Sequence, residues 1–187
     1  MNFASRGENV TIYPLAKIIS PETIRLGSNI IIDDFVFIGR HPSMSIGSYV
    51  HLGGHTLIAG GGDFKMGDFS STSGGVLIYT GTEDGSGACL TNPTVPEPFR
   101  KPLRSFVHVG RHVLLGAGVV VLPGVTIGDG AIIGACTLVT KDLDPWTVYV
   151  GQPARPIKTR PKDAILAQER EVLAHSTICT PVSSLGS

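Results

Sequence analysis

Charge is scarce in this sequence, and the two signs balance. Only 16% of the 187 residues are charged, and 15 lysines and arginines offset 15 aspartates and glutamates, so the formal net charge is zero. Proteins that bind nucleic acid through its phosphates carry an excess of basic residues. The composition therefore excludes a nucleic-acid partner held by charge, while 42% apolar residues favour a folded core over disorder.

Cysteine and long apolar runs are lacking as well. The three cysteines, Cys89, Cys136 and Cys179, lie far apart and form neither a disulfide framework nor a zinc-binding spacing. No apolar run reaches the roughly 18 residues that span a bilayer. Residues 1–8 also lack the apolar segment of a signal peptide. We expect a cytoplasmic protein without a membrane span.

A six-residue repeat dominates what is present. Aliphatic residues recur at every sixth position in one register: Val109, Leu115, Val121, Ile127, Ile133 and Val139. A period of six fits neither an amphipathic helix nor a half-buried strand. It fits a short strand followed by a corner, and three such units close one triangular coil. The sequence predicts an all-β prism of about six coils, and a glycine-rich β-sandwich is the alternative.

Two segments interrupt the repeat. A proline-rich stretch over about 79–106 predicts an inserted loop of the kind that carries function. The solenoid is expected over about 10–144, and a stretch over about 162–175 with apolar residues on one face predicts a C-terminal helix. We therefore expect one domain over 1–187, ending in a loose tail over 176–187.

These features resemble a known family. The repeats, the inserted loop and the segment Val150–Lys158, which reads VGQPARPIK, are similar to the left-handed parallel β-helix acyltransferases. That group includes sugar O- and N-acetyltransferases and xenobiotic acetyltransferases. The stretch TNPTVP at 91–96, together with Trp146, most resembles members of bacterial surface-polysaccharide pathways.

The resemblance implies a reaction and an assembly. The expected activity is acetyl transfer from acetyl-CoA to an amino or hydroxyl group of a sugar or nucleotide sugar. The expected assembly is a homotrimer with active sites in the grooves between subunits. The repeat itself places Val120, Ile132 and Leu138 at outward positions, where packing against another subunit would cover them.

The coenzyme site is expected at a corner of the prism. Gly116 and Ala117 precede Gly134 and Ala135 by 18 residues, so the two pairs stack on adjacent coils. The resemblance implies that small residues at such a corner admit the pantetheine arm. The cations expected to meet the coenzyme phosphates are Lys141, Arg155 and Lys158.

The catalytic base departs from the family pattern. O-acetyltransferases of this class carry a histidine at the start of the inserted loop, but residues 79–87 contain none. Glu83 and Asp84 occupy the place. A carboxylate is a weak base for a hydroxyl but can orient an amine, so we expect an amino acceptor. His51 and His55 are the reserve bases for a hydroxyl acceptor.

Two other functions compete with the transferase. A non-catalytic β-helix scaffold would account for the absent loop histidine. A metalloenzyme resembling the γ-class carbonic anhydrases would need three histidines around zinc. His51 and His55 are the pair considered, and the third ligand is unassigned. We expect no metal.

Overall fold

The chain folds into a triangular prism of stacked coils. The structure, a computed structural model, describes residues 1–178. Each coil contributes one short strand to each of three faces, and neighbouring coils pair in parallel. Face 1 contains β1 (Ser5–Arg6), β4 (Ile24–Leu26), β7 (Met44–Ile46), β10 (Asp63–Met66), β15 (Phe106–Val109) and β18 (Val125–Ile127).

The other two faces follow the same order. Face 2 contains β2 (Val10–Ile12), β5 (Ile30–Ile32), β8 (Val50–Leu52), β11 (Ser71–Thr72), β16 (Leu114–Leu115), β19 (Ile132–Ile133), β21 (Thr147–Val150) and β22 (Arg155–Thr159). Face 3 contains β3 (Lys17–Ile18), β6 (Phe37–Ile38), β9 (Leu57–Ala59), β12 (Leu77–Tyr79), β17 (Val120–Val121) and β20 (Leu138–Val139). The predicted fold class, an all-β parallel β-helix with one terminal helix, is confirmed.

The six-residue repeat forms the core because its aliphatic residue points inward once per strand. Leu115, Val121, Ile127 and Ile133 are all fully buried, and each such side chain stabilises the fold by about 1.5–3 kcal/mol. Thr72 is the polar member of one inward row. Its hydroxyl is hydrogen bonded inside the prism, 2.8 Å from Thr56 Oγ1 and 3.0 Å from the Gly53 amide. The one hydroxyl in this otherwise apolar row is therefore hydrogen bonded.

Three corners join the faces, and their side chains differ. The aromatic corner, between faces 1 and 2, stacks Tyr49 on Phe69 and Phe69 on His112, with ring centroids 4.6 and 5.1 Å apart. The glycine corner, between faces 2 and 3, contains Gly116 and Ala117 on one coil and Gly134, Ala135 and Cys136 on the next. The loop corner, between faces 3 and 1, holds the insertion. Gly130 occupies the aromatic corner with φ +69° and leaves room for the Trp146 ring.

The insertion leaves the prism after β12 and returns at β15. It contains the antiparallel pair β13 (Gly81–Thr82) and β14 (Leu103–Arg104), and a 3₁₀ turn at Glu97–Phe99. A second 3₁₀ turn, Pro21–Thr23, lies at the same corner near the start of the chain. The loop is thus anchored at its base by a two-stranded ribbon that extends from the loop corner.

Strands extend beyond the predicted solenoid of 10–144 at both ends. β1 precedes it, and the VGQPARPIK segment forms the antiparallel pair of β21 and β22. The repeat does not reveal β22 because all five of its residues are exposed, so it has no inward position to mark. No helix among residues 1–178 is long and apolar enough to cross a membrane.

The C-terminal helix, α1 (Asp163–Ile178), packs against the aromatic corner. Its buried Glu169 pairs with Arg111 and accepts a hydrogen bond from His112 Nε2 at 3.0 Å. Arg160 donates to the His112 carbonyl at 2.7 Å. Burial, with the nearby arginines, lowers the pKa of His112. The predicted tail from 179 onward, including Cys179, lies outside the described residues.

Candidate active site

The glycine corner brings the predicted coenzyme residues together. The Gly116 amide donates to the Ile133 carbonyl and the Cys136 amide to the Ala117 carbonyl, both at 2.8 Å. A Cβ at Gly116 would lie 2.8 Å from the Ala135 nitrogen, so glycine is needed for the coils to stack this closely. Ala117 and Ala135 are exposed. The corner therefore offers an open strip of small side chains over closely spaced backbone.

The C-terminal segment closes the end of this strip. A Cβ at Gly134 would lie 2.8 Å from Val150 Cγ1, and Gln152 Nε2 donates to the Cys136 carbonyl at 2.7 Å. Gly134 is thus needed for packing against β21, while Ala135 faces solvent. The VGQPARPIK segment takes part in building the candidate coenzyme site.

The three predicted cations do not share one position. Arg155 lies opposite Val150 and Lys158 opposite Val148 on the same ribbon, and both are exposed. Val150, the strand partner of Arg155, packs against Gly134, so Arg155 is at the level of the glycine corner. Lys141 follows β20 and lies at the loop corner. The structure therefore places Arg155 beside the strip and separates Lys141 from it by the width of face 3.

Glu83 is engaged in the inserted loop. Its carboxylate pairs with Arg100, which also donates to the Pro93 carbonyl at 3.1 Å. The Glu83 side chain is 23% exposed and that of Arg100 is 12% exposed, so the pair is largely withdrawn from water. Glu83 Oε2 is buried and has no hydrogen-bond donor among residues 1–178. One carboxylate oxygen holds the loop together, and the other remains an acceptor.

Asp84 is an ionised acceptor on the same loop. Its Oδ1 accepts from the Ser86 amide at 2.9 Å, and Cys89 Sγ lies 3.6 Å from Oδ2. These bonds, the Ser86 amide first, lower the pKa of Asp84. A carboxylate with a lowered pKa is a poor proton acceptor but a good partner for a positive or partly positive amine.

The reserve histidines lie away from these acids. His51 points outward from face 2, and its Nε2 is 2.9 Å from Asp33 Oδ2. His55 occupies the glycine corner with φ +61° and stacks on Phe35, with centroids 4.9 Å apart. Glu83 and Asp84 are beyond face 3, at the loop corner. The structure does not combine the two pairs into one site within a single subunit.

A pocket at the loop corner was not anticipated from the sequence. It has a volume of about 640 Å³ and is lined by Arg40, His41, Arg104 and the Gly60–Gly61 backbone, among others. His41 is fully buried, with Nδ1 2.7 Å from the Gly62 carbonyl oxygen and Nε2 3.3 Å from that of Ile58. The run GGG at 60–62 was the available signal, since consecutive glycines indicate close approach of backbone.

No metal centre accompanies these groups in the part of the chain that the structure describes. Within residues 1–178, no three histidines, cysteines, aspartates or glutamates are grouped to hold an ion. His51, the histidine of the predicted pair with a polar partner, contacts a carboxylate and no second histidine.

Comparison with known proteins identifies the family. Residues 106–141 match the family model described as bacterial transferase hexapeptide (six repeats). The dTDP-4-amino-4,6-dideoxy-D-glucose acyltransferase of Escherichia coli is 39% identical over 163 residues, which is 87% of this chain and 85% of that protein. The chain belongs to the hexapeptide-repeat acyltransferases. The predictions of the left-handed β-helix family and of an acyltransferase are thereby confirmed, in preference to a scaffold.

Solved hexapeptide acyltransferases share the architecture. AntD, an N-acyltransferase from Bacillus cereus solved with dTDP and 3-hydroxybutyryl-CoA, superposes with a TM-score of 0.86 at 36% identity, covering 94% of this chain and 92% of AntD. A maltose O-acetyltransferase from Clostridium difficile 630 gives a TM-score of 0.58 at 26% identity, covering 85% of this chain and 71% of that one.

Proposed function

We propose that this acyltransferase moves an acetyl or similar short acyl group from coenzyme A to the amino group of a nucleotide-linked amino-deoxy sugar. The observation that carries the proposal is the pair of acids at the loop corner, Glu83 and Asp84, where a histidine is usual. The similarity to the E. coli enzyme and to AntD, whose complexes contain dTDP and coenzyme A, supports the same acceptor class. The pathway would be one of bacterial surface polysaccharide.

The reaction needs little base strength when the acceptor is an amine. The amine nitrogen attacks the thioester carbonyl, the C–S bond breaks, and the proton lost by nitrogen ends on the thiolate sulfur. Asp84, whose pKa is lowered by its hydrogen bonds, would orient the amine as an ionised acceptor rather than take up the proton itself. The free Oε2 of Glu83 is a second acceptor for the same N–H groups. A hydroxyl would instead need a strong base to remove its proton.

The glycine corner would hold the coenzyme. Exposed Ala117 and Ala135 let a thin pantetheine arm lie against the backbone. Arg155, at the end of the strip, is available to meet a phosphate, since its side chain makes one hydrogen bond within residues 1–178, to the carbonyl of Ala154. Lys158 lies further along the same ribbon, and Lys141 is placed to act at the loop corner.

A homotrimer would unite the two corners. Face 3 carries an apolar row in register across five coils, composed of Phe37, Leu57, Leu77, Val120 and Leu138. Ile132, grouped with Val120 from the repeat, lies on face 2 instead. Packing of face 3 against a second subunit would cover the row and bring the loop corner of one subunit to the glycine corner of the other. Leu138→Glu should then dissociate the trimer in sedimentation, whereas an unchanged assembly would contradict this interface.

A matched pair of acceptors tests the chemistry. The full chain is mixed with acetyl-CoA and either dTDP-4-amino-4,6-dideoxyglucose or its 4-hydroxy counterpart, and thiol release is followed. We expect release with the amine alone. Equal rates with both acceptors would contradict the proposal, because the hydroxyl gains nothing from a weak base.

Variants of the candidate residues locate the base. Asp84→Asn and Glu83→Gln should slow turnover without changing coenzyme affinity. His51→Ala and His55→Ala should leave it unchanged. Loss of activity by about 100-fold in a histidine variant alone would favour the second candidate function, O-transfer by the His51–Asp33 pair, whose 2.9 Å contact fits a base and its orienting acid.

The cysteines bear on the cellular compartment of the reaction. Cys89 and Cys136 are free thiols. We place the reaction in the reducing cytoplasm, where such thiols persist.

A further inference from the structure

The pocket at the loop corner contains two cations without an acidic partner. In the part of the chain that the structure describes, the Arg40 side chain makes one hydrogen bond, from Nε to Ser20 Oγ at 3.3 Å. Arg104 makes one, from Nη1 to the Gly60 carbonyl at 2.6 Å. Neither forms an ion pair within residues 1–178, and no carboxylate is among the residues that line the pocket. Both side chains line the pocket, and each guanidinium has five N–H donors, so donors remain for a ligand.

The backbone around the pocket leaves room for the Arg104 side chain. Gly61 has φ +71°, and a Cβ there would lie 3.3 Å from Arg104 Nε, so the bare glycine lets the guanidinium lie along the chain. Gly60 has φ +117°, and a Cβ there would overlap the Gly81 amide at the base of the loop ribbon. The buried His41 ring fixes the carbonyls of Ile58 and Gly62 beneath the pocket. Arg104, although exposed, is oriented along this backbone by its hydrogen bond to the Gly60 carbonyl.

The chemistry of this pocket fits a diphosphate. Guanidinium groups bind phosphate oxygens in a forked, bidentate geometry, and two unpaired arginines match the two phosphoryl groups. A volume of 640 Å³ lies within the range of small-molecule sites, about 300–1,000 Å³, and accommodates more than the diphosphate alone. Nucleotide sugars and coenzyme A share this chemistry.

The position of the pocket, on the same corner as the two loop acids that would orient the acceptor, favours the nucleotide sugar. Arg104 pairs with Gly81 across the loop ribbon, and Glu83 follows two residues later, roughly 7 Å along an extended chain. This backbone separation places the pocket and the loop acids at the same corner of the prism. Within one subunit, the glycine corner, where we place the coenzyme, lies across face 3 from this pocket.

We propose that the Arg40–Arg104 pocket binds the diphosphate of the nucleotide-sugar acceptor, so that the sugar extends toward Glu83 and Asp84. This inference deepens the proposed function and rests on it. It assigns the acceptor's anchor to residues that have no part in the acid pair or in the coenzyme strip.

Calorimetry on the full chain tests the site with three separate probes: dTDP, coenzyme A and inorganic pyrophosphate. Arg40→Gln should weaken dTDP and pyrophosphate binding about tenfold or more, because hydrogen bonds to charged groups are lost, and leave coenzyme A affinity unchanged. Arg104→Lys, which keeps the charge but loses the fork, should weaken dTDP binding less. Arg170→Gln, an exposed position on α1, is the matched control and should change none of them.

The outcomes separate this inference from the proposed function. Unchanged dTDP and pyrophosphate affinities in a folded Arg40→Gln variant would overturn the site. A loss confined to coenzyme A would overturn it as well, since the pocket would then serve the donor. If dTDP fails to bind even the unaltered chain while pyrophosphate binding depends on Arg40, the diphosphate site stands and the nucleotide-sugar acceptor is wrong.

Discussion

Two substitutions at the glycine corner should separate ligand binding from coil packing. Ala135→Leu adds an isobutyl group on an exposed residue, in the path that we assign to the pantetheine arm. Gly116→Ala adds one methyl group directed at the next coil, 2.8 Å from both the Ala135 nitrogen and the Ile133 oxygen. The first change fills the groove, whereas the second presses two coils apart.

The expected magnitudes are opposite for the two variants. Overpacking costs about 1–3 kcal/mol, and in a protein of this size each kcal/mol shifts the melting temperature by roughly 2–4 °C. Gly116→Ala should therefore melt roughly 2–12 °C lower and bind coenzyme A with little change. Ala135→Leu should melt within about 2 °C of the unaltered protein, as exposed substitutions do, and lose at least about tenfold in affinity, or ~1.4 kcal/mol.

Thermal melting and coenzyme A titration measure the two effects on the same samples. Ala164→Leu, the same change at an exposed site on α1, is the control and should alter neither. Unchanged coenzyme A affinity in a folded Ala135→Leu variant would refute the assignment and leave the corner with a packing role only.

Three further outcomes are expected. Because burial lowers the pKa of His112, the unfolded chain binds more protons than the folded chain between the folded pKa and about pH 6.5. The free energy of unfolding should therefore decrease as the pH decreases through this range, by up to ~1.4 kcal/mol per pH unit, with a shallower slope in His112→Asn. Equal slopes in urea melts of the two proteins would contradict this. Gly130→Ala should destabilise the fold, because the φ of Gly130 is +69° and an added Cβ would overlap the ring of Trp146. Trp146 is the single tryptophan, so its fluorescence reports any displacement of the ring. An unaltered emission spectrum and melting temperature would contradict this. Arg100→Leu leaves Glu83 without its buried partner and should lower turnover but not coenzyme A affinity, so full activity would show that the ion pair is dispensable.

The periodic part of the structure could be predicted from the sequence. One aliphatic residue every six positions marks each inward side chain, and an 18-residue offset places Gly116 over Gly134. Both relations are local, since each coil touches only its neighbours. The face of each position follows from the same count: Leu138, 18 residues after Val120, shares face 3 with it, whereas Ile132, 12 residues after Val120, lies on face 2.

The non-periodic contacts were decided by tertiary structure alone. Glu83 joins Arg100 across 17 residues, Arg104 reaches Gly60 across 44, and Glu169 reaches Arg111 across 58. No repeat relates these residues, so no spacing in the sequence indicates that they meet. Each pair forms because the loop or the helix folds back on the prism, and a partner of opposite sign or a carbonyl offsets the hydration that each charged group loses. The residues of the candidate coenzyme strip could therefore be predicted from the sequence, whereas the Glu83–Arg100 ion pair and the arginine pocket are evident only in the tertiary structure.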